Sequence, residues 1–189
     1  MKQIMNLIRT YGVKDFFWKS YEKINSPMKK YSTEYQKYFP DEQEIQKQWQ
    51  TSFSLEPRIS IVVPAYETNV VFLEQLIQSI KEQTYPDWQL CIADGSISDT
   101  VEKYIDSHCR SEERIIYKHL RSNGGIAANT NAAIEMACGE YICFVDHDDI
   151  LTPNALFEMV SALNEHPEAE VFYSDEDKVS EDLNVYSDP

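Results

Sequence analysis

The sequence predicts an α/β fold: a mostly parallel sheet with helices on both faces, preceded by a helical leader. Three observations predict it. Short apolar runs such as ISIVV (59–63) and YICFVD (141–146) alternate with segments whose apolar residues recur at helical spacing. The connections between them are short and rich in Gly, Pro, Asn and Asp, which suits strand–helix–strand units joined by crossovers. Polar clusters gather after the strands, whereas the opposite ends read as ordinary surface loops.

Taken in order, Pro27, Pro40 and Pro57 divide the first 57 residues, and DEQEIQKQWQTSF (41–53) reads as a charged helix. ISIVV is the first strand, closed by Pro64, and residues 69–83 place Leu73, Leu76, Ile77 and Ile80 on one helical face. WQLCIA (88–93) is the second strand, ending in Asp94-Gly95-Ser96, after which Ser98 is expected to cap a helix carrying Val101, Tyr104 and Ile105. RIIYK (114–118) is the third. Asn123-Gly124-Gly125 then turns the chain into a helix through Ala133, Ile134 and Ala137, stopped by Gly139. YICFVD is the fourth strand. Thr152 is expected to cap the next helix, with Pro153 at its first position and Leu156, Met159, Val160 and Leu163 inside, and VFYS (171–174) reads as a fifth strand.

A length of 189 residues allows one ordinary domain with an appendage, here divided as a leader, 1–57, and a main domain, 58–189. Charge is unevenly placed: residues 1–39 hold eight Lys/Arg against three Asp/Glu, net +5, and the other 150 hold nine against 29, net −20. The acidic bulk argues against nucleic acid as a partner. Ile4, Leu7, Ile8, Phe16, Phe17 and Trp18 interleave with the leader's lysines, a pattern that serves peripheral contact with an anionic membrane and packing on protein equally well. No run is long enough to span a bilayer, and MKQIMNLIRTYGVKDF lacks the uninterrupted apolar core of a secretory signal, so a cytoplasmic location is expected. Cys91, Cys109, Cys138 and Cys143 show no CxxC pairing and read as buried free thiols.

The stretch FVDHDDIL (144–151) ends an apolar strand in Asp146, Asp148 and Asp149. Three carboxylates so close repel one another unless a divalent cation offsets their charge, and hard oxygen donors select Mg²⁺, Mn²⁺ or Ca²⁺. A site built on one or two carboxylates completes its shell with phosphate oxygens and water, so a nucleotide diphosphate is the natural complement. Asp149 also suits the N-terminus of the following helix through its dipole. His147, with no second His or Cys at zinc spacing, reads as a spacer.

SIVVPAYE, CIADGSISD, NGGIAANTNAAIEMACGEYICFVDHDD and YSDEDK together resemble the family 2 glycosyltransferases, bacterial polysaccharide-building and rhamnosyltransferase-like members above all, over roughly residues 58–189. The resemblance implies a Rossmann-like GT-A nucleotide-sugar-binding fold and inverting transfer of a sugar from a UDP- or dTDP-sugar donor to a glycan or lipid-linked acceptor, with Mn²⁺ or Mg²⁺ on the diphosphate. By the same resemblance, Pro64, Ala65, Tyr66 and Glu67 cup the base and ribose, and Asp94 hydrogen-bonds the pyrimidine, with Ala93 standing where the family often has a second Asp. Asn123, Gly125 and Asn131 lie near the donor. Asp146 and Asp148 match the DxD pair, Asp146 reaching ribose or metal and Asp148 holding the metal.

The family's catalytic base lies downstream of the DxD pair, and the chain reads as though it stops inside the domain. Asp175 and Asp177 are the candidates left, with Glu176 between them. The alternative expectation is therefore a truncated, non-catalytic nucleotide-sugar-binding module. A receiver-type signalling domain does not fit, because the first strand ends in PAYE rather than an acid pair.

Overall fold

A computed structural model of the chain describes residues 39–187, which fall in two compact units, residues 39–172 and residues 173–187. In the first unit, strands β1 (Ile59–Ala65), β2 (Trp88–Asp94), β3 (Ile115–His119) and β4 (Tyr141–Phe144) form an all-parallel sheet in the order β3-β2-β1-β4. Helix α1 (Glu42–Gln50) precedes the sheet, and α2 (Val70–Lys81), α3 (Thr100–His108), α4 (Ile126–Ile134) and α5 (Ala155–Glu165) follow β1 to β4 in turn.

The side-chain period of two decides which helix packs where. Ile59, Ile61, Val63 and Ala65 of β1 face one side, where they join Leu90 and Ile92 of β2, Leu73, Leu76, Ile77 and Ile80 of α2, Val101 of α3 and Leu156 and Val160 of α5. Val62, Cys91 and Ala93 face the other and meet Ala133 of α4. A strand buried on both faces carries no polar alternation, which is why ISIVV reads as one apolar run. Ser60, the polar residue within that run, is buried and satisfied: its hydroxyl donates to Gln89 Oε1 at 2.9 Å and accepts from the Gly139 N–H at 2.9 Å.

Local chemistry starts the helices. The Asp41 carboxylate caps α1 by accepting from the Glu44 N–H at 2.9 Å, and the Asn69 side chain caps α2 through the Val71 N–H at 3.0 Å. Two expected caps move. Asp99, not Ser98, stands at the start of α3, because Ser98 is bonded elsewhere, and Asn154, not Thr152, stands at the start of α5. The Thr152 carbonyl instead accepts from Ala155 N–H and from the Gln83 amide, at 3.0 and 2.7 Å. Helix α4 closes at Ile134 with short-range bonds from Met136 and Ala137, ahead of Gly139.

The expected strand at 171–174 does not form; Val171 and Tyr173 are 81% and 91% exposed. An apolar tetrapeptide becomes a strand only where a neighbour offers backbone groups to pair with, and among the described residues 171–174 have none. The boundary expected after residue 57 falls inside the first unit. Leu55 exchanges two hydrogen bonds with Asn164, both 2.9 Å, the Tyr85 hydroxyl donates to the Pro57 carbonyl at 2.8 Å, and Phe53 packs its ring 5.0 Å from that of Phe157. The basic stretch read as a membrane-suited helix, residues 1–38, lies outside the described residues. No helix among the described residues is long and apolar enough to cross a membrane.

In the second unit, β5 (Lys178–Val179) pairs antiparallel with β6 (Tyr186–Ser187). Its turn is pinned by Ser180, whose hydroxyl donates to Asp182 at 2.6 Å and accepts from the Val185 N–H at 3.0 Å. Asp175, Glu176 and Asp177 belong to this unit.

Candidate functional site

The strand order places a reversal beside β1. From β1 the chain steps to β2 and then β3 on one side, and crosses back to β4 on the other. Connections leaving in opposite directions open a crevice beyond the carboxyl ends of the two strands. A crevice of about 280 Å³ lies there, lined by Pro64, Ala65 and Tyr66 after β1, Asn123, Gly125, Ile126 and Asn129 at the entrance to α4, and Asp146, His147 and Asp148 after β4. A larger hollow, along α1, has walls from that helix and Thr51 alone and brings no distant residues together.

Pro64 shows why the crevice opens where it does. The Val62 carbonyl accepts from Val145 N–H and the Ala65 carbonyl from Gly95 N–H, so even positions of β1 point toward β4 and odd ones toward β2. The donor that Pro64 lacks is therefore on the β4 side, beyond Phe144, where β4 has ended and no ladder bond is lost. Tyr66, the next residue in line with the crevice, is 42% exposed.

The opposite wall is a turn closed by two asparagines. Asn123 Oδ1 accepts from the Gly125 N–H at 2.9 Å and from Asn129 Nδ2 at 3.1 Å, while Asn129 Oδ1 accepts from the Gly124 N–H at 3.3 Å. Gly125 has φ 83°, the left-handed region that a side chain resists. It sits at the N-cap of α4 with no side chain capping the helix, and Ile126, the first helical residue, lines the crevice at the positive end of the helix dipole.

Asp146 and Asp148 are exposed on the third wall, and neither carboxylate makes a hydrogen bond or ion pair among the described residues. His147 between them is half-buried, and its Nδ1 is buried with no partner among the described residues. Among the described residues no group of three or more His, Cys, Asp or Glu side chains is arranged to hold a metal ion. The two carboxylates fit a hard divalent cation that takes two protein ligands and draws the rest of its shell from a ligand and water.

Seven residues expected at the site thus meet in one crevice: Pro64, Ala65, Tyr66, Asn123, Gly125, Asp146 and Asp148. Three do not line it. Asp94 is wholly buried; its Oδ1 accepts from the Ser96 N–H at 2.9 Å and from the Ser96 hydroxyl, and its Oδ2 from the Tyr117 hydroxyl at 2.9 Å. Burial first, and the bond to Asp94 second, push the Tyr117 phenol well above its ordinary pKa. Glu67 turns its carboxylate toward residues 97–98. Asn131 is exposed, two positions and roughly half a helical turn from the buried Asn129. Asn129, Ile126 and His147 were not anticipated as lining residues. For Asn129 the signal was available: it stands four residues before the buried Ala133, on the sheet-facing side of α4.

A family model described as glycosyl transferase family 2 matches residues 60–184. An uncharacterized protein of Sinorhizobium fredii, y4gI, is 38% identical over 126 residues, covering 66% of this chain and 14% of its own length. The O-antigen biosynthesis protein RfbC of Myxococcus xanthus is 31% identical over 125 residues, covering 66% of this chain and 10% of its own. The crystal structure of S. aureus TarS superposes with a TM-score of 0.53 at 26% identity, over 58% of this chain and 33% of that one. TarS in complex with UDP gives a TM-score of 0.50 at 27% identity over the same shares. The chain therefore spans a third or less of the length of these proteins.

Proposed function

The chain belongs to glycosyl transferase family 2, and from that membership we propose that its crevice binds the nucleotide diphosphate of a UDP- or dTDP-sugar, whose sugar passes with inversion to a glycan or lipid-linked acceptor of a cell-surface polysaccharide. One observation carries the reading. An apolar shelf, an uncapped helix N-terminus and two unengaged carboxylates converge at the switch point of a parallel sheet. Each part matches a part of such a ligand. Tyr66 and the Pro64-Ala65 backbone suit the base and ribose, because an aromatic face stacks on any base. The N–H groups at the start of α4 suit the diphosphate. Asp146 and Asp148 would hold Mn²⁺ or Mg²⁺, which when bound neutralises charge on the departing diphosphate.

In the reaction proposed, an acceptor hydroxyl oxygen bonds to the anomeric carbon as the carbon–oxygen bond to the diphosphate breaks, and the hydroxyl proton passes to a carboxylate. The N–H groups of α4 then hold the leaving diphosphate. Asp175 and Asp177 remain the candidates for the carboxylate.

The reading is tested by calorimetry with UDP and dTDP, in Mn²⁺ and in EDTA. Binding that EDTA weakens, and that Asp148→Asn weakens about tenfold or more, is expected. Tight binding indifferent to both would remove the cation from the site, and no binding of either nucleotide would remove the reading itself.

A second reading, a module that binds nucleotide-sugar without transferring it, is favoured by the crevice lining, which among the described residues has no carboxylate beyond Asp146 and Asp148. A missing general base typically costs about 10²–10⁴-fold in rate. Donor binding without single-turnover transfer would select the module.

A further inference from the structure

We propose that Glu67 is a positioning residue: its carboxylate latches the loop after β1 to the loop after β2 and so holds the Tyr66 ring at the wall of the crevice. The inference rests on the nucleotide reading of that crevice and assigns a residue outside its lining a role in it.

The latch is built from four bonds. Glu67 Oε1 accepts from the Ile97 N–H at 2.7 Å and the Ser98 N–H at 3.2 Å, and Oε2 accepts from the Ser98 hydroxyl at 2.8 Å. The Glu67 N–H donates to the Ser96 hydroxyl at 2.7 Å, and that hydroxyl in turn donates to the buried Asp94. On the other flank of Tyr66, the Ala65 carbonyl accepts from the Gly95 N–H at 2.9 Å. Both chain neighbours of Tyr66 are thus tied to the same segment, residues 95–98, while Tyr66 itself is left to face the crevice.

Two further features show that the latch outweighs a cost. Glu67 has φ 48°, the left-handed region that glycine or asparagine adopts far more readily. A non-glycine residue stays there when its surroundings over-determine it, and here the four bonds do so. The segment leading into α3 also uses the carboxylate. Asp99 makes no side-chain cap bond, and the N–H groups of Ile97 and Ser98, just ahead of the helix, are met by Glu67 from another loop. These bonds, from the Ser98 hydroxyl first, hold the Glu67 carboxyl below the usual glutamate range. Three of the carboxylate's acceptor positions are thus taken up within the protein.

The consequence for the ligand is entropic. A stacking ring contributes most when its backbone is already fixed, since otherwise binding must order it. Releasing Glu67 should weaken nucleotide binding through Tyr66 and through nothing else.

A double-mutant cycle tests this on the full chain: the parent, Glu67→Gly, Tyr66→Ala and the double variant, each titrated with UDP and with dTDP in Mn²⁺, with a melting curve on every sample. Glycine keeps the left-handed backbone and the N–H bond to Ser96, and removes the three carboxylate bonds. Expected are about tenfold weaker binding by Glu67→Gly, a similar loss by Tyr66→Ala, and a double variant no weaker than Tyr66→Ala alone. Glu67→Gln, which keeps an acceptor oxygen for Ile97, should recover most of the affinity. Should the Gly variant fail to fold, Glu67→Asn takes its place in the cycle, asparagine being tolerant of the same backbone. Parent-like affinity in the Gly or Asn variant, or losses that add fully to those of Tyr66→Ala, would overturn the inference while leaving the nucleotide reading intact. A parent that binds neither nucleotide overturns both.

Discussion

At the scale of single residues, burial separates two carboxylates that look alike in sequence. Asp148 is exposed and unengaged, whereas Asp94 is 0% exposed with donors on both oxygens. An aspartate with its acceptors already used is a structural tie before it is a ligand contact. Asp94→Ala would strand the Ser96 N–H, the Ser96 hydroxyl and the Tyr117 hydroxyl in a buried site, for a cost of about 3 kcal/mol in urea unfolding, while Tyr117→Phe should cost only about 1 kcal/mol. If Asp94→Ala keeps the parent's stability but loses nucleotide, the direct contact with the base implied by the family resemblance is the better account. His147 presents the opposite situation, a buried Nδ1 at the crevice with no partner among the described residues. Such an atom is satisfied when a ligand or water reaches it.

At the scale of elements, the ends of the strands and helices carry the information. The entrance to α4 depends on Gly125 for its left-handed backbone and on Asn123 and Asn129 to close the turn. The entrance to β4 depends on Gly139 for a different reason. A Cβ there would run into the Arg58 carbonyl and lie 2.9 Å from the Ser60 N and Oγ, and two of these three atoms are backbone of the segment that starts β1. Backbone cannot step aside as a side-chain tip can. Gly139→Ala should therefore cost about 1–3 kcal/mol and lower the melting temperature by several degrees. Gly125→Ala, whose new Cβ meets nothing within 4 Å, should cost only the strain of a side chain at φ 83° and ψ 171°, about 1–3 kcal/mol, and should disturb the crevice more than the core. Equal stability of Gly139→Ala and the parent would mean that β4 enters the sheet by another path.

At the scale of the whole first unit, the segment before β1 is bound to the far side of the sheet from α4, through Phe53 against Phe157, the Leu55–Asn164 pair and the buried bond from Thr84 Oγ1 to Gln48 Oε1 at 2.8 Å. Tyr85 is the hub of this attachment. Burial, then the charges of Asp87, Glu56 and Glu140, push its phenol up to about 12. A phenol whose pKa is raised by folding contributes stability that is fully present below the unfolded value of about 10 and is lost as pH rises through the folded value. Between about pH 10 and 12 the parent should therefore lose stability faster than Tyr85→Phe, even though the variant starts weaker at pH 8 for want of the Pro57 bond. Parallel denaturation profiles of the two proteins across that range would show that Tyr85 is not protected by folding. Burial also sorts the four free cysteines: Cys91 and Cys109 are buried, Cys143 is half-buried and Cys138 is exposed. The reading of all four as buried thiols fails at Cys138, which lies at the turn before β4.

What the sequence determined by itself was the alternation of strand and helix, the parallel sheet and the edge on which its polar clusters gather, because period and turn chemistry are local properties of the chain. The carboxylates after β4 were legible for the same reason: three acids closing an apolar strand are costly unless something offsets them. Only the tertiary structure decided which of those groups face one another. Among the described residues VFYS has a strand's composition but no neighbour to pair with, Ser98 has a cap's chemistry but is drawn to Glu67 from another loop, and Asp94 has a ligand's chemistry but is surrounded by donors from β3 and its own turn. Asn129 rather than Asn131 reaches the crevice because one helical face, fixed by Ala133 against Val62, Cys91 and Ala93, turns toward the sheet. Each of these outcomes is set by contacts between residues far apart in the chain, and no local period or propensity encodes them.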